Sequence, residues 1–492
     1  MYSLGRIRDR LFKKALPVKD AFGYFKKTLD SNNHALEIIT GMGEKLGGDY
    51  LFDINYIKGA WSELKNAIDS SVGSFSCLTQ DKYRRLRPAF ERISGQIENA
   101  VDEKPAHGEP VIPYAEMTWD SLRDAGPKNF NLAEIKNRLG INVPEAFAIT
   151  IHAFDAFVRH NSLEENIRAV CEDPSDETLS MLRDEILKGE LPPAVSGAIE
   201  KAVRKLASGC KGACSLAIRS SAQAEDGEFS FAGQFETLLN VPASLPDVGE
   251  AYKKVVASLF SAGAAVYQKK IGIEPGRLKM AAGCLVMVDA AVSGVIYTAD
   301  PGSPGRMLVN AAWGLGNIVV EGQTGIDTYL VDRDGATPGL QITGKTIGLK
   351  TVSSGAKAGG GTAVSAVPEG MAAAPCLDDG QVYELARLAL SIEKHFRGPQ
   401  DIEWAIDREG KIFILQSRPL KMPEARGQSR EVTVDAPVIM KDKGTVVQKG
   451  TAAGEVFILR HEDELGNVPR GAVVVSAADS SKIVRIMPYI SA

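Results

Sequence analysis

Cysteine is scarce: six residues in 492, at positions 77, 171, 210, 214, 284 and 376. They are too few and too scattered to staple a chain of this length, so a disulfide framework is excluded. Cys210 and Cys214 form a C-x3-C spacing. No matching His or Cys pair lies nearby, which favours ordinary thiols over a metal site. An excess of either charge is also missing. Acidic residues number 62 and basic residues 57, giving a net charge of −5; such a balance supplies no basic field for nucleic acid or an anionic membrane. The N-terminus lacks the apolar core of a secretory signal. The one stretch that mimics a membrane span, Met280–Tyr297, carries Asp289 near its middle and is broken again by Ser293-Gly294. It reads as two buried strands joined by a turn. A cytoplasmic protein is expected, with neither nucleic acid nor membrane as partner.

What is present is ordinary globular material, 44% apolar and 24% charged, long enough for about three domains. Glycine is the excess, at 48 residues, and it collects in loops, as where backbone must approach a ligand. Residues 1–110 read as a helical extension, with Leu86, Phe90, Ile93 and Ile97 recurring at helical spacing. Its first 27 residues carry eight basic side chains interleaved with Leu11, Phe12, Phe22 and Phe25. A solvated helix face is the default reading, a membrane-surface helix the alternative, and a protein partner for this region stays open. The Pro-rich segment 103–113 is a linker.

Residues 114–420 alternate between helical and strand-like patterns, which predicts a mixed α/β (α+β) domain. Helices are expected at 195–207, 245–272 and 381–396, the last capped by Asp378 or Asp379. Strands are expected at 281–288, 294–298, 307–312 and 327–332. A polar stretch then leads to a β-like piece, 433–492.

Three segments could carry chemistry. The string Gly339-Leu-Gln-Ile-Thr-Gly344-Lys345-Thr346 matches the phosphate-binding P-loop literally. That motif needs a helix after its threonine, and none follows here; the apolar spacing instead predicts a hairpin turning at Gly344-Lys345. The second segment runs from Ala217 to Thr237. A short apolar strand ends in Arg219, and a hydroxyl-rich acidic turn follows, with Gly227 and Gly233 enclosing Ser230. Such a loop can wrap backbone N–H groups around phosphate oxygens beside a bidentate arginine. An ordinary surface loop with Arg219 paired to Asp226 is the equal alternative. The third segment is a predicted hairpin, 401–406 and 411–418. Pairing Ile406 with Lys411 would set Gln416 diagonal to Glu403 and place Arg418 on the same face, with Ile402, Trp404, Phe413 and Leu415 facing the core. A carboxylate and an amide oxygen on one β surface suit Mg²⁺. A solvent-facing polar stripe is the plain reading.

The Arg219–Thr237 signature, R-S-S-A…E-D…S-F-A-G-Q-F-E-T, resembles the nucleotide-binding segment of the phosphoenolpyruvate synthase and pyruvate phosphate dikinase family. Further matches follow in the family's order: Gly126-Pro-Lys128-Asn-Phe-Asn131-Leu132, Val143-Pro-Glu-Ala-Phe147, Ser293-Gly294-Val-Ile-Tyr-Thr298-Ala-Asp300-Pro301, Trp313-Gly-Leu-Gly316, and Pro399-Gln-Asp-Ile-Glu403-Trp404 with Leu415-Gln416-Ser-Arg418-Pro419. The resemblance covers about residues 115–420. It implies an ATP-grasp fold, two subdomains closing over Mg·ATP, and a phosphotransferase activity of the dikinase type. By the same resemblance Lys128 and Arg219 bind phosphates, the loop bearing Gly227, Ser230 and Gly233 covers them, Glu403 and Gln416 hold the metal and nucleotide, and Arg418 is a further phosphate contact. The family passes the phosphoryl group to a histidine on a swivelling domain. Gly444–Gly454 resembles that domain's beginning, and the histidine motif is expected beyond the end of this chain, which reads as a fragment; none of the six histidines matches it, His395 and His461 included.

Three positions depart from the family pattern. Pro127 stands for the glycine before the lysine, Leu285 for a glutamine, and Asn317 for a glutamate. They leave an alternative open, a nucleotide-sensing or scaffold module with weakened catalysis.

Overall fold

The computed structural model describes residues 16–47, 54–80, 82–101, 108–210, 212–223, 235–270, 277–320, 322, 324–333, 339–420, 422, 452–460, 462–476, 486 and 489–491. The chain divides into two compact units, Met1–His107 and Gly108–Ala492. The first is helical, as its periodicity predicts: Val18–Gly47, Ile54–Leu78 and Leu86–Val101. No described helix is long and apolar enough to cross a membrane.

The second unit is built on two antiparallel sheets. The first contains β1 (Val111–Pro113), β2 (Ala146–Ile149), β3 (Ser215–Ala222), β4 (Thr237–Pro242) and β5 (Met280–Val286), in the order β1-β2-β5-β3-β4. The second contains β6 (Ala290–Tyr297), β7 (Arg306–Trp313), β8 (Asp327–Asp332), β9 (Gln341–Thr346), β12 (Gln400–Asp407) and β13 (Ile412–Pro419), in the order β13-β12-β6-β7-β8-β9. Between β9 and β12 a separate two-stranded ribbon forms from β10 (Val352–Ala356) and β11 (Thr362–Ala366).

Each sheet owns a core. Phe147, Ile149, Ile218, Met280 and Cys284 pack with apolar faces of the Ile151–His160, Asp176–Lys188, Pro193–Gly209 and Leu245–Ser258 helices. Val309, Tyr329, Ile402, Trp404 and Ile414 pack with the Pro127–Leu139 and Asp379–Phe396 helices. The strand β2 serves both. Phe147 and Ile149 enter the first core and Ala146 and Ala148 the second, so period-two alternation here sorts large from small rather than apolar from polar. Small side chains on one face of the first sheet let the second core close against it.

Most expected elements are found, with bounds shifted by a few residues. The 381–396 helix begins at Asp379, and its cap is Asp378. Gln381 N donates to Asp378 Oδ1 at 2.8 Å, and Asp378 N donates to Gln381 Oε1 at 3.1 Å, a reciprocal capping box. The two buried strands expected within Met280–Tyr297 are both present and joined by a short link; β5 is the last strand of the first sheet in chain order and β6 enters the second, so that link is the crossover between sheets. Three expectations need correction. The stretch 245–272 is two helices, Leu245–Ser258 and Ala262–Lys270. No hairpin turns at Gly344-Lys345. Strand β9 runs straight through both residues, with Gly344 opposite Leu330 and Lys345 opposite Tyr329. A Cβ at Gly344 would lie 2.9 Å from Leu330 Cδ1, so the glycine that mimicked a phosphate loop instead makes room for a cross-strand leucine. Cys210 and Cys214, expected as thiols, are joined in a disulfide across a Cα–Cα distance of 5.7 Å.

Candidate functional site

The hairpin β12/β13 sets the site. Its pairing starts with Ile406 opposite Ile412, one residue beyond the expected register, and Trp404 faces Ile414. A bulge follows between Glu403 and Trp404, leaving Leu415 as the extra residue. Beyond it Glu403 stands directly opposite Gln416, and Asp401 opposite Arg418. The expected diagonal of Glu403 and Gln416 is therefore a direct cross-strand pair, whose Cβ atoms lie about 4.5–5.5 Å apart in such ladders. The core residues are corrected too. Ile412 and Ile414 are buried in the second core, whereas Phe413 and Leu415 are only partly covered.

Arg219 reaches this hairpin from the other sheet. It lies on β3, where Gly283 is its partner on β5 and Thr237 its partner on β4. Its Nη1 donates to Leu415 O at 2.8 Å, satisfying the carbonyl of the bulge residue, and its Nη2 pairs with Glu403 Oε2. Among the described residues Arg219 is thus paired with Glu403, 184 positions away. Asp226 and the loop residues Gly227, Ser230 and Gly233 lie outside the described residues.

Lys128 comes to the same place on the first turn of the Pro127–Leu139 helix. Pro127 occupies the first helical position, where its fixed φ suits the helix and no N–H is missed, so the departure from glycine is accommodated. The preceding Gly126 takes φ +78°, and a Cβ there would fall 2.2 Å from Ser221 O. That close approach pins the helix start to β3, two residues past Arg219. Asn129 locks it further: its Nδ2 donates to Ala125 O at 2.6 Å, and its Oδ1 accepts from Tyr114 Oη at 2.7 Å. Asn131 Nδ2 donates to Ser417 O at 3.0 Å, tying the helix to β13 as well.

The electrostatics follow from this crowding. Burial alone would raise the carboxyl of Glu403, but Arg219, through charge and hydrogen bond, and then Arg418 and Lys128 outweigh it and hold the group below the usual glutamate range. Asp401 goes the other way. Burial is the larger influence and raises it, although Arg418 donates to Asp401 Oδ2 from Nε at 2.9 Å and from Nη2 at 2.7 Å. Three cations, Lys128, Arg219 and Arg418, therefore stand beside two carboxylates, Glu403 and Asp401, an excess of positive charge that an anionic ligand could use. The structure brings together Lys128, Arg219, Glu403, Gln416 and Arg418. Sequence reasoning missed Asp401, which orients Arg418, and Leu415, whose carbonyl orients Arg219. Asp401 stood within the quoted Pro399–Trp404 motif, and its alternation with Glu403 on one strand was the available signal.

Among the described residues no cluster of three or more His, Cys, Asp or Glu side chains could hold a metal ion by itself. Glu403 and Gln416 offer two oxygen donors side by side. That donor set fits Mg²⁺ shared with a ligand's phosphates, since this ion keeps waters and takes one or two protein oxygens. His395 is not placed for phosphoryl carriage: its Nε2 lies 3.2 Å from Oε2 of the buried Glu134. Leu285 is buried in the second core, and Asn317 opens a short helix with its Oδ1 buried and accepting no hydrogen bond from the described residues.

Residues 122–468 match the family profile described as the pyruvate phosphate dikinase AMP/ATP-binding domain. A probable phosphoenolpyruvate synthase of Methanocaldococcus jannaschii is 33% identical over 386 residues, covering 76% of this chain and 32% of that protein. The phosphoenolpyruvate synthase of Pseudomonas aeruginosa is 33% identical over 395 residues (75% of this chain, 49% of the relative), and that of Neisseria meningitidis 33% over 391 (74% and 49%). The chain belongs to the phosphoenolpyruvate synthase/pyruvate phosphate dikinase family and carries its AMP/ATP-binding domain. It spans about half or less of the length of these relatives.

Proposed function

We propose that residues 114–420 are an ATP-grasp nucleotide-binding domain, with the two sheets as its two subdomains, and that it transfers a phosphoryl group from Mg·ATP to a histidine beyond residue 492. The 433–492 piece would begin the swivelling domain that carries the histidine. One observation supports this above the others: Arg219 from the first sheet and Glu403 from the second meet in a single ion pair, with Lys128 and Arg418 close enough to bias the same carboxylate. A junction between sheets that gathers cations around two oxygen donors is what phosphoryl transfer asks of a protein, since the reaction needs positioning and charge neutralisation more than covalent participation.

Lys128, Arg219 and Arg418 would orient the phosphate oxygens and draw off their charge. Glu403 and Gln416 would hold Mg²⁺, which supplies further neutralisation when bound. Asp401 keeps Arg418 aimed, and Leu415 O keeps Arg219 aimed. Calorimetric titration with ATP in the presence and absence of Mg²⁺ tests the reading: saturable, Mg²⁺-enhanced binding that Glu403→Gln weakens supports it, and no binding by folded protein refutes it. A second reading, nucleotide sensing without efficient transfer, is favoured by Asn317, whose buried Oδ1 has no hydrogen-bond partner among the described residues. Tight ATP binding without transfer to a supplied phosphohistidine domain of a relative would select it.

A further inference from the structure

The Val18–Gly47 helix has two faces, and among the described residues of its own unit only one of them is packed. Thr28, Ser31, Ala35 and Ile38 face the Ile54–Leu78 helix: Ser31 Oγ bonds Ser70 Oγ at 3.1 Å, Ser71 Oγ donates to Thr28 O at 3.4 Å, and Ala35 is buried. Turned about a third of a helical circle away lies a second seam, Val18, Phe22, Phe25, Leu29, Leu36 and Ile39. Every one of these large apolar side chains is exposed, between 44% and 86%. Their spacing is 4-3-4-7-3, a heptad repeat with Asn32 as the polar member in the gap. From residue 18 to residue 39 the seam runs three heptads, the length at which paired helices become worthwhile. It fills an arc of only about 100°, as a coiled-coil seam does, and Asn32 lies inside that arc.

We propose that this seam is a self-association surface, on which two copies of the chain pair their Val18–Gly47 helices antiparallel. Charge fixes the direction. The flank beside the seam is basic in its first half, Lys19 and Lys26, and acidic in its second, Asp30 and Glu37. Antiparallel two-fold pairing lays this flank against its own reverse, so the basic half of each copy meets the acidic half of the other. Parallel pairing would face the lysines with the Ala21 and Thr28 side of the partner helix and leave the charges unmatched. With the two-fold axis between Leu29 and Asn32, Phe22 packs on Ile39 of the second copy and Phe25 on its Leu36, and the two Asn32 side chains sit near each other across the axis. A lipid surface would not select such a narrow seam with an asparagine inside it.

Sedimentation equilibrium of the full chain tests the proposal. The wild type is expected to be dimeric at micromolar concentration, and Phe25→Glu/Leu36→Glu to raise the dissociation constant at least about a hundredfold. Both positions are exposed, so helix content and nucleotide binding should stay unchanged in that variant. Lys26→Glu and Glu37→Lys should each weaken the dimer several-fold, and the double reversal should restore it. The two residues are eleven positions apart on one helix, so restoration can only arise between copies. A monomeric wild type, a dimer indifferent to Phe25→Glu/Leu36→Glu, or a double reversal that fails to recover would overturn the proposal. So would a monomer that instead sediments with phosphatidylserine vesicles.

Discussion

Replacing Arg219 with methionine removes a side chain that joins the two sheets by an ion pair while keeping most of its apolar length. Two bonds vanish, to Leu415 O and to Glu403 Oε2, and on the proposed reading a phosphate oxygen loses its guanidinium. Charge-assisted hydrogen bonds of this kind contribute about 1.5–3 kcal/mol each. Arg219 and Glu403 are 19% and 23% exposed, so solvent screens part of that. A net loss of about 2 kcal/mol of ligand binding corresponds to a rise of about 30-fold in the dissociation constant for Mg·ATP. Acid provides a second reading of the same substitution. Glu403 has a folded-state pKa below its unfolded value, so its contribution is present above the unfolded glutamate range and is lost as pH falls through the folded value. Without Arg219, burial is opposed by Arg418 and Lys128 alone, and the carboxyl must rise. Calorimetric titrations across an acid pH series should therefore show weaker binding at neutral pH and a loss on acidification that begins at higher pH than in the wild type. A folded Arg219→Met protein that binds Mg·ATP within about threefold of the wild type, with an unshifted acid limb, would refute the reasoning.

Gln416→Leu should raise the Mg²⁺ concentration needed for half-maximal ATP binding by about tenfold, the worth of one hydrogen-bond-strength ligand, in titrations at fixed nucleotide. Gly126→Ala should destabilise the second unit by about 2–4 kcal/mol in urea unfolding, because a positive φ coincides with a 2.2 Å approach to Ser221 O. Gly140→Ala, at φ +65° in open space, should lose only about 1 kcal/mol in the same assay. Lys350→Met breaks an ion pair whose two side chains are 0% exposed and should destabilise by about 3–5 kcal/mol. Adding Asp327→Leu should recover only part of that in the same unfolding assay, because Cys376 N and Gly348 N also donate to Asp327, at 2.7 and 3.1 Å.

The candidate site was legible where residue type and spacing carry the chemistry, and illegible where the backbone departs from regular repetition. Glu403, Gln416 and Arg418 were placed on one face by a register that was wrong twice over. The turn after β12 is one residue longer than the pattern suggests, and Leu415 bulges out of the ladder. Each slip moves side chains to the opposite face, and together they cancel for Gln416 and Arg418. They do not cancel before the bulge, which is why Ile412 and Ile414, rather than Phe413 and Leu415, fill the core. Nothing in Ile412-Phe-Ile-Leu415 could reveal this, because four apolar residues in succession carry no alternation to read. Arg219 was legible as a cation at a strand end, but its partner was not, since an ion pair spanning 184 positions leaves no trace in local composition. The bulge links the two failures. A regular ladder would turn the Leu415 carbonyl toward a neighbouring strand. Freed by the bulge, it accepts from Arg219 instead, so the irregularity that hid the register also holds the arginine of one sheet against the carboxylate of the other.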